Sequence, residues 1–166
     1  MLSKKIENAL NRQIESEAMS SQLYLAMASW AETKGYSGSA KFLYAHSDEE
    51  RQHMLKIFQY VNERSGHAVV SALKQPPKTF NSLLEVFNQI LKHEVAVSSE
   101  INKLVDACLA EKDYPTNNFL QWYVSEQVEE ERLAKHIVDK LNLVGNDKGG
   151  LYLFDKELEG LATIAK

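Results

Sequence analysis

The sequence predicts an all-α fold: a four-helix bundle with one long connection and a short fifth helix. Three observations predict it. Apolar residues recur at helical spacing almost throughout the 166 residues, and no strand-like alternation competes. Three prolines and seven glycines leave room for long helices. The glycine and proline signals gather where the helical period breaks, which divides most of the chain into four long segments.

The predicted elements are α1 at about 3–34, α2 at about 37–65, α3 at about 81–111, α4 at about 115–143 and α5 at about 153–165. Together they make a single domain over residues 1–166. Gly35 follows Lys34 and Gly66 follows Ser65 as C-terminal stops. Ser82-x-x-Glu85 reads as a capping box at the start of α3. Pro115 suits the first turn of α4. Gly145, Gly149 and Gly150 separate α4 from α5, with Asp155 or a neighbour as the expected cap of α5.

Connection lengths predict the topology. The α1–α2 and α3–α4 links are very short, so each pair is an antiparallel hairpin. The α2–α3 link, from His67 to Phe80, holds 14 residues. A helix of ~30 residues is ~45 Å long. An extended chain of ~14 residues reaches ~46 Å. The link therefore travels the length of the bundle and leaves α3 parallel to α2. Pro76-Pro77 favours the extended form. Ala68, Val69, Val70, Ala72 and Leu73 make it too apolar for a floppy linker.

Bulk properties exclude several classes. A net charge of −4 argues against nucleic acid as a partner. No apolar run approaches the ~20 residues that span a bilayer, so no membrane partner is expected. The N-terminal residues, MLSKKIEN, lack the apolar stretch of a secretory signal. Cys108 is the only cysteine, so there is neither an internal disulfide nor a CxxC motif, which suits a reducing cytoplasm.

The functional signal lies on the buried seams. Alternating steps of three and four give Ile6, Leu10, Gln13, Glu17, Ser21, Tyr24, Ala28 and Ala31 in α1, and Leu43, His46, Glu50, His53, Ile57 and Tyr60 in α2. The same steps give Leu83, Phe87, Ile90, Glu94, Val97, Ile101, Val105 and Cys108 in α3. In α4 they give Leu120, Tyr123, Gln127, Glu130, Ala134, Ile137 and Leu141. Every seam is interrupted by acid near its middle. Helix middles in a bundle lie at one level, so Glu17, Glu50, Glu94 and Glu130 should converge beside His53 and Gln127. Each unpaired buried carboxylate costs several kcal/mol, and no seam lysine or arginine is available. Two divalent cations would balance four carboxylates. Carboxylates with one imidazole form a hard site that suits iron or manganese, whereas structural zinc prefers Cys and His. Glu50-x-x-His53 puts two ligands on one helical face.

The segments 45–54 (AHSDEERQHM), 114–127 (YPTNNFLQWYVSEQ) and 150–158 (GLYLFDKEL) carry a family resemblance. The chain resembles bacterial non-haem ferritins over essentially its whole length, including the long connection and the fifth helix. Glu-x-x-His in register with three other mid-seam acids is itself a ferritin-like arrangement. The resemblance implies a di-iron ferroxidase centre. Glu17, Glu50 and His53 would hold the first iron, and Glu50 would bridge to a second held by Glu94 and Glu130. Gln127 would orient bound oxygen or water, and Tyr24 would donate an electron or a hydrogen bond. A third iron position would use Glu49, Glu126 and Glu129 with Glu130. The implied chemistry is two-electron oxidation of paired Fe(II) by dioxygen or hydrogen peroxide. Fe(III) would then mineralise inside a homo-oligomeric cage, a 24-mer.

Departures from neighbouring families sharpen the reading. The second half-site is Gln127-x-x-Glu130, unlike the second Glu-x-x-His of bacterioferritins and di-iron oxygenases. Arg51 stands where bacterioferritins carry a haem-ligating methionine, so no haem is expected. A di-iron oxidoreductase or oxygenase without a storage role is the alternative reading. A rubrerythrin-like peroxidase would need a CxxC pair, and a signalling bundle would not put acids on four seams. Ferritin threefold pores are often acidic, yet Tyr114 to Gln121 holds no Asp or Glu. His46 is expected to be packed or hydrogen-bonded, and His93 and His136 to lie on the surface.

Overall fold

A computed structural model describes residues 1–161. It contains five helices: α1 Lys4–Thr33, α2 Ser37–Glu63, α3 Leu83–Ala110, α4 Tyr114–Val144 and α5 Lys148–Leu161. The expected residues 162–165 of α5 lie outside the described residues.

The helices begin where side chains can take up orphan backbone donors. Ser3 Oγ accepts from Ile6 N at 3.2 Å, and Ser82 Oγ accepts from Glu85 N at 3.1 Å. Glu85 closes its end of the box on Asn81 N, one residue earlier than the usual partner. Asp113 receives Thr116 N, with Pro115 in the first turn of α4. At the end of α2 the left-handed residue is Ser65, with φ +61°, and not Gly66. Gly66 N instead bonds back to Val61 O at 2.9 Å.

Two apolar clusters fix the topology. One gathers Met27 and Trp30 from the end of α1, Ala40 and Leu43 from the start of α2, Leu83 and Phe87 from the start of α3, and Ile137 and Leu141 from the end of α4. The other gathers Ile6 and Leu10, Ile57 and Val61, Ile101 and Leu104, and Leu120. The starts of α2 and α3 therefore share one end of the bundle, and these two helices are parallel. The long connection is fastened at both ends. Asn11 accepts from Val69 N and donates to His67 O, and Phe80 packs edge-on against Trp30.

Helix α5 departs from expectation in two ways. It starts five residues early, because Asp147 caps it by accepting from Gly150 N at 2.5 Å. Gly149 and Gly150 thus lie inside its first turn and do not separate it from α4. Asp155 does not cap α5 either. It sits buried within α5 and reaches across to α2, accepting from Gly38 N (2.9 Å), Ser39 N (2.7 Å) and Ser39 Oγ (2.7 Å). Tyr36, the N-cap residue of α2, offers no side-chain bond, so a distant helix supplies the cap. The contact is so close that a Cβ on Gly38 would lie 1.8 Å from Asp155 O. Asp155→Ala should therefore cost about 2 kcal/mol, the upper range for a lost helix cap. Chemical denaturation would read this, and an unchanged midpoint would refute the role. Gly38→Ala should do at least as much damage, by pushing α5 off the bundle.

Candidate metal centre

Between the two apolar clusters the interior turns polar. Glu17, Glu50, His53, Glu94, Gln127 and Glu130 are all buried, with Glu17 and Glu94 only 1% exposed. Among the described residues, no lysine or arginine forms an ion pair with any of the four acids. The backbone braces this level: Ser21 Oγ and Ser47 Oγ each donate to the other's carbonyl at 2.8 Å, which draws α1 against α2.

One oxygen each from Glu17 and Glu50 and one ring nitrogen of His53 lie within 4.8 Å of one another. Gln13 Nε2 donates to Glu17 at 2.8 Å and orients it. His53 is held from outside. Tyr123 Oη donates to its carbonyl at 2.8 Å, and the Trp122 ring stands edge-on at 5.1 Å. Lys56 Nζ caps the outer face of Trp122, 3.3 Å from the ring centre.

Glu94 is tied to other partners. Tyr24 Oη donates to one of its oxygens, and Gln127 Nε2 donates to the other at 3.1 Å. Among the described residues Glu94 joins no group of three ligands within 4.8 Å. Glu130 does, with His46 and Glu49, and Glu49 forms a further group with His53 and Glu126. Glu129 stands apart, exposed and ion-paired with Arg132.

Electrostatics follow from crowding acids away from water. Burial first, then the Glu50 carboxylate, pushes Glu17 well above the usual range. Burial raises Glu50 and Glu94 to about 7 each. Burial with the Glu94 and Glu50 charges raises Glu130 to about 9. These carboxyls hold protons that a bound cation would displace.

Some participants were hidden in the sequence. Gln13 lay on the seam as an unassigned polar residue, one helical turn before Glu17. His46, expected to be packed, stacks on Phe42 at 4.0 Å and bonds its carbonyl through Nδ1, yet it also turns Nε2 to 4.0 Å from Glu130. His93, expected on the surface, is half-buried, with Nε2 2.6 Å from Ser20 Oγ and its ring edge-on to Tyr24. Burial lowers the pKa of both histidines. His136 is exposed, as expected.

Residues 7–144 match the ferritin-like domain family. The chain belongs to the ferritin family. It is 48% identical to a probable bacterial non-heme ferritin-like protein of Haemophilus influenzae, over 99% of this chain and 100% of that one. It is 45% identical to a bacterial non-heme ferritin of Campylobacter jejuni, over 100% and 99%. An open-pore ferritin from the hyperthermophilic archaeon Archaeoglobus fulgidus superposes with a TM-score of 0.94 at 45% identity, covering 96% of this chain and 98% of that one. Ferritin membership carries iron storage as the function, with Fe(II) oxidation as the family's general activity. The mid-bundle carboxylates supply groups able to hold iron.

Proposed function

We propose that this ferritin oxidises Fe(II) at an intrasubunit di-iron centre and stores the ferric product inside a cytoplasmic 24-mer cage. The observation that carries the proposal is the convergence of Glu17, Glu50 and His53 at mid-bundle without a counter-charge. Glu17, Glu50 and His53 bind the first Fe(II). Glu50 also reaches the second, which Glu94 and Glu130 complete. Gln127 stands beside that pair and orients oxygen or water. Tyr24, already bonded to Glu94, is placed to donate a hydrogen bond to a ligand of the pair, or an electron.

The reaction balances simply. Two Fe(II) ions give one electron each; dioxygen takes two electrons and two protons and leaves as hydrogen peroxide. Hydrogen peroxide can serve in turn as the oxidant and leave as water. The carboxyls that release protons as iron binds keep the site near neutral overall. Ferric ions then pass inward.

Glu49, Glu126 and Glu129 with Glu130 form the proposed third iron position. The proximity of Glu49 to Glu130 and of Glu49 to Glu126 supports it, while Glu129 must leave Arg132 to join. Glu49→Ala and Glu126→Ala are expected to lower bound iron from three per chain to two, with the first two still oxidised. Equilibrium binding on an anaerobic column reads this, and an unchanged stoichiometry would remove the third position.

The direct test is anaerobic Fe(II) loading followed by air. A coloured ferric product should form with one dioxygen consumed per two Fe(II), in protein that elutes as a cage of several hundred kilodaltons. Failure to form it rejects the ferroxidase. Elution as a monomer or dimer rejects the cage. An oxidoreductase without storage would oxidise iron yet retain no mineral.

A further inference from the structure

Helix α2 carries a second histidine–glutamate pair, and its histidine has no part in the proposed centre. His46 and Glu49 lie three residues apart on one face of the helix, one turn before Glu50-x-x-His53. The His46 side chain is only 9% exposed. Its Nδ1 lies 3.2 Å from Phe42 O, which can only accept, so Nδ1 carries the proton and donates. In the neutral ring Nε2 then keeps its lone pair. That nitrogen faces Glu130 at 4.0 Å, beyond hydrogen-bond reach. One oxygen of Glu49 completes the group, with all three ligand atoms within 4.8 Å of one another. Atoms that share a small cation lie roughly 3–4 Å apart, so slight side-chain rotations close the group. Metal-ligating histidines almost always donate their other ring N–H to a carbonyl, carboxylate or water, as His46 does to Phe42.

We infer that His46 Nε2 is the nitrogen ligand of the third cation position, binding with Glu49 and Glu130, while Glu129 stays outside on Arg132. The inference rests on the third position proposed above and changes its ligands. The Glu129 side chain is 62% exposed and paired with Arg132, whereas His46 is buried and already faces Glu130. A set made only of carboxylates suits magnesium, calcium or manganese. An imidazole in the set favours Fe(II) or Zn(II) over magnesium and calcium. Binding is coordination through a lone pair, and no electron is transferred.

Zn(II), which has no redox chemistry, gives a readout without activity. Anomalous diffraction at the zinc edge, from a soaked wild-type crystal, is expected to show a peak about 2.1 Å from His46 Nε2 that also touches Glu49 and Glu130. Excess Mg(II) should leave this peak in place, and its loss to Mg(II) would overturn the nitrogen ligand. A peak held by Glu49, Glu126 and Glu129, away from His46, overturns the inference and leaves the third position standing. No peak at Glu49, in a crystal whose Glu17 and Glu50 carry zinc, removes the third position and the inference with it. In solution, His46→Phe keeps a ring against Phe42 and removes the nitrogen. It should weaken the third zinc per chain by at least roughly tenfold, since even an outer partner of a ligand changes affinity by roughly 10–100-fold. Unchanged zinc binding in folded His46→Phe protein overturns the inference. So does loss of the third zinc in Glu129→Ala with its retention in His46→Phe. Should His46→Phe fold poorly, the wild-type crystal still decides.

Discussion

Glu50→Ala and His53→Ala are each expected to slow Fe(II) oxidation on the order of 100-fold while the protein still folds. Even an outer-shell partner of a metal ligand changes affinity or activity by roughly 10–100-fold, and these two side chains would be ligands. Glu50 is the more damaging loss, because it is the only acid proposed to touch both irons. His53 is the only imidazole in the Glu17 group. The fold should tolerate both changes, since the apolar clusters on either side of this level are continuous without them. Stopped-flow absorbance of the ferric product reads the rate, and circular dichroism confirms folding. Traces that overlay wild type would refute the site. Glu50→Gln separates charge from shape, and should melt no lower than wild type without metal at pH about 8, because it removes a buried charge.

The metal-free protein should lose stability as pH rises, contrary to the usual carboxylate behaviour. Glu50 and Glu94 lie at about 7 and Glu130 at about 9 in the folded chain, against 4.5 for an ordinary glutamate. The folded state therefore binds more protons than the unfolded state between about pH 4.5 and 9. Stability from these groups is fully present below the unfolded value and drains away as pH climbs through the folded values. Lifting one carboxyl from 4.5 to about 7 corresponds to roughly 3 kcal/mol, so the effect is large. The melting temperature of metal-free protein should fall from pH about 5.5 to about 8.5, and a saturating divalent cation should restore it at the upper end. The cation supplies the positive charge that protons supply in its absence, so its binding should release protons. Calorimetry in buffers of different ionisation enthalpy counts them. A melting temperature that is flat or rising across this range would contradict the account.

The sequence made the bundle legible because its signals are local or periodic. All eight predicted seam positions of α1 and all seven of α4 are buried. The parallel course of α3 followed from chain length alone. What stayed hidden depends on contacts between distant segments. Asp155 looks like a cap for its own helix, yet its partners Gly38 and Ser39 are more than 110 residues away. Asp147 was overshadowed by the two glycines that follow Lys148, which break helices in most settings, although here Gly150 lets Val144 pack closely. In the metal centre, seam arithmetic brought out the acids together with Tyr24 and Gln127, which bond Glu94, but it gave Gln13 no role. Gln13 donates to Glu17 and Ser98 accepts from Gln127 through three-dimensional placement, and neither residue type signals a site by itself. His93 escaped notice because its shelter comes from Ser20 and Tyr24 of another helix.

Anomalous diffraction at the iron edge, from a crystal soaked anaerobically in Fe(II), tests the central claim most directly. Two strong peaks are expected per chain, one against Glu17, Glu50 and His53 and one against Glu94 and Glu130, with Glu50 touching both. A third, weaker peak is expected against Glu49 and Glu126. Iron confined to surface acids, with the mid-bundle carboxylates empty, would contradict the account.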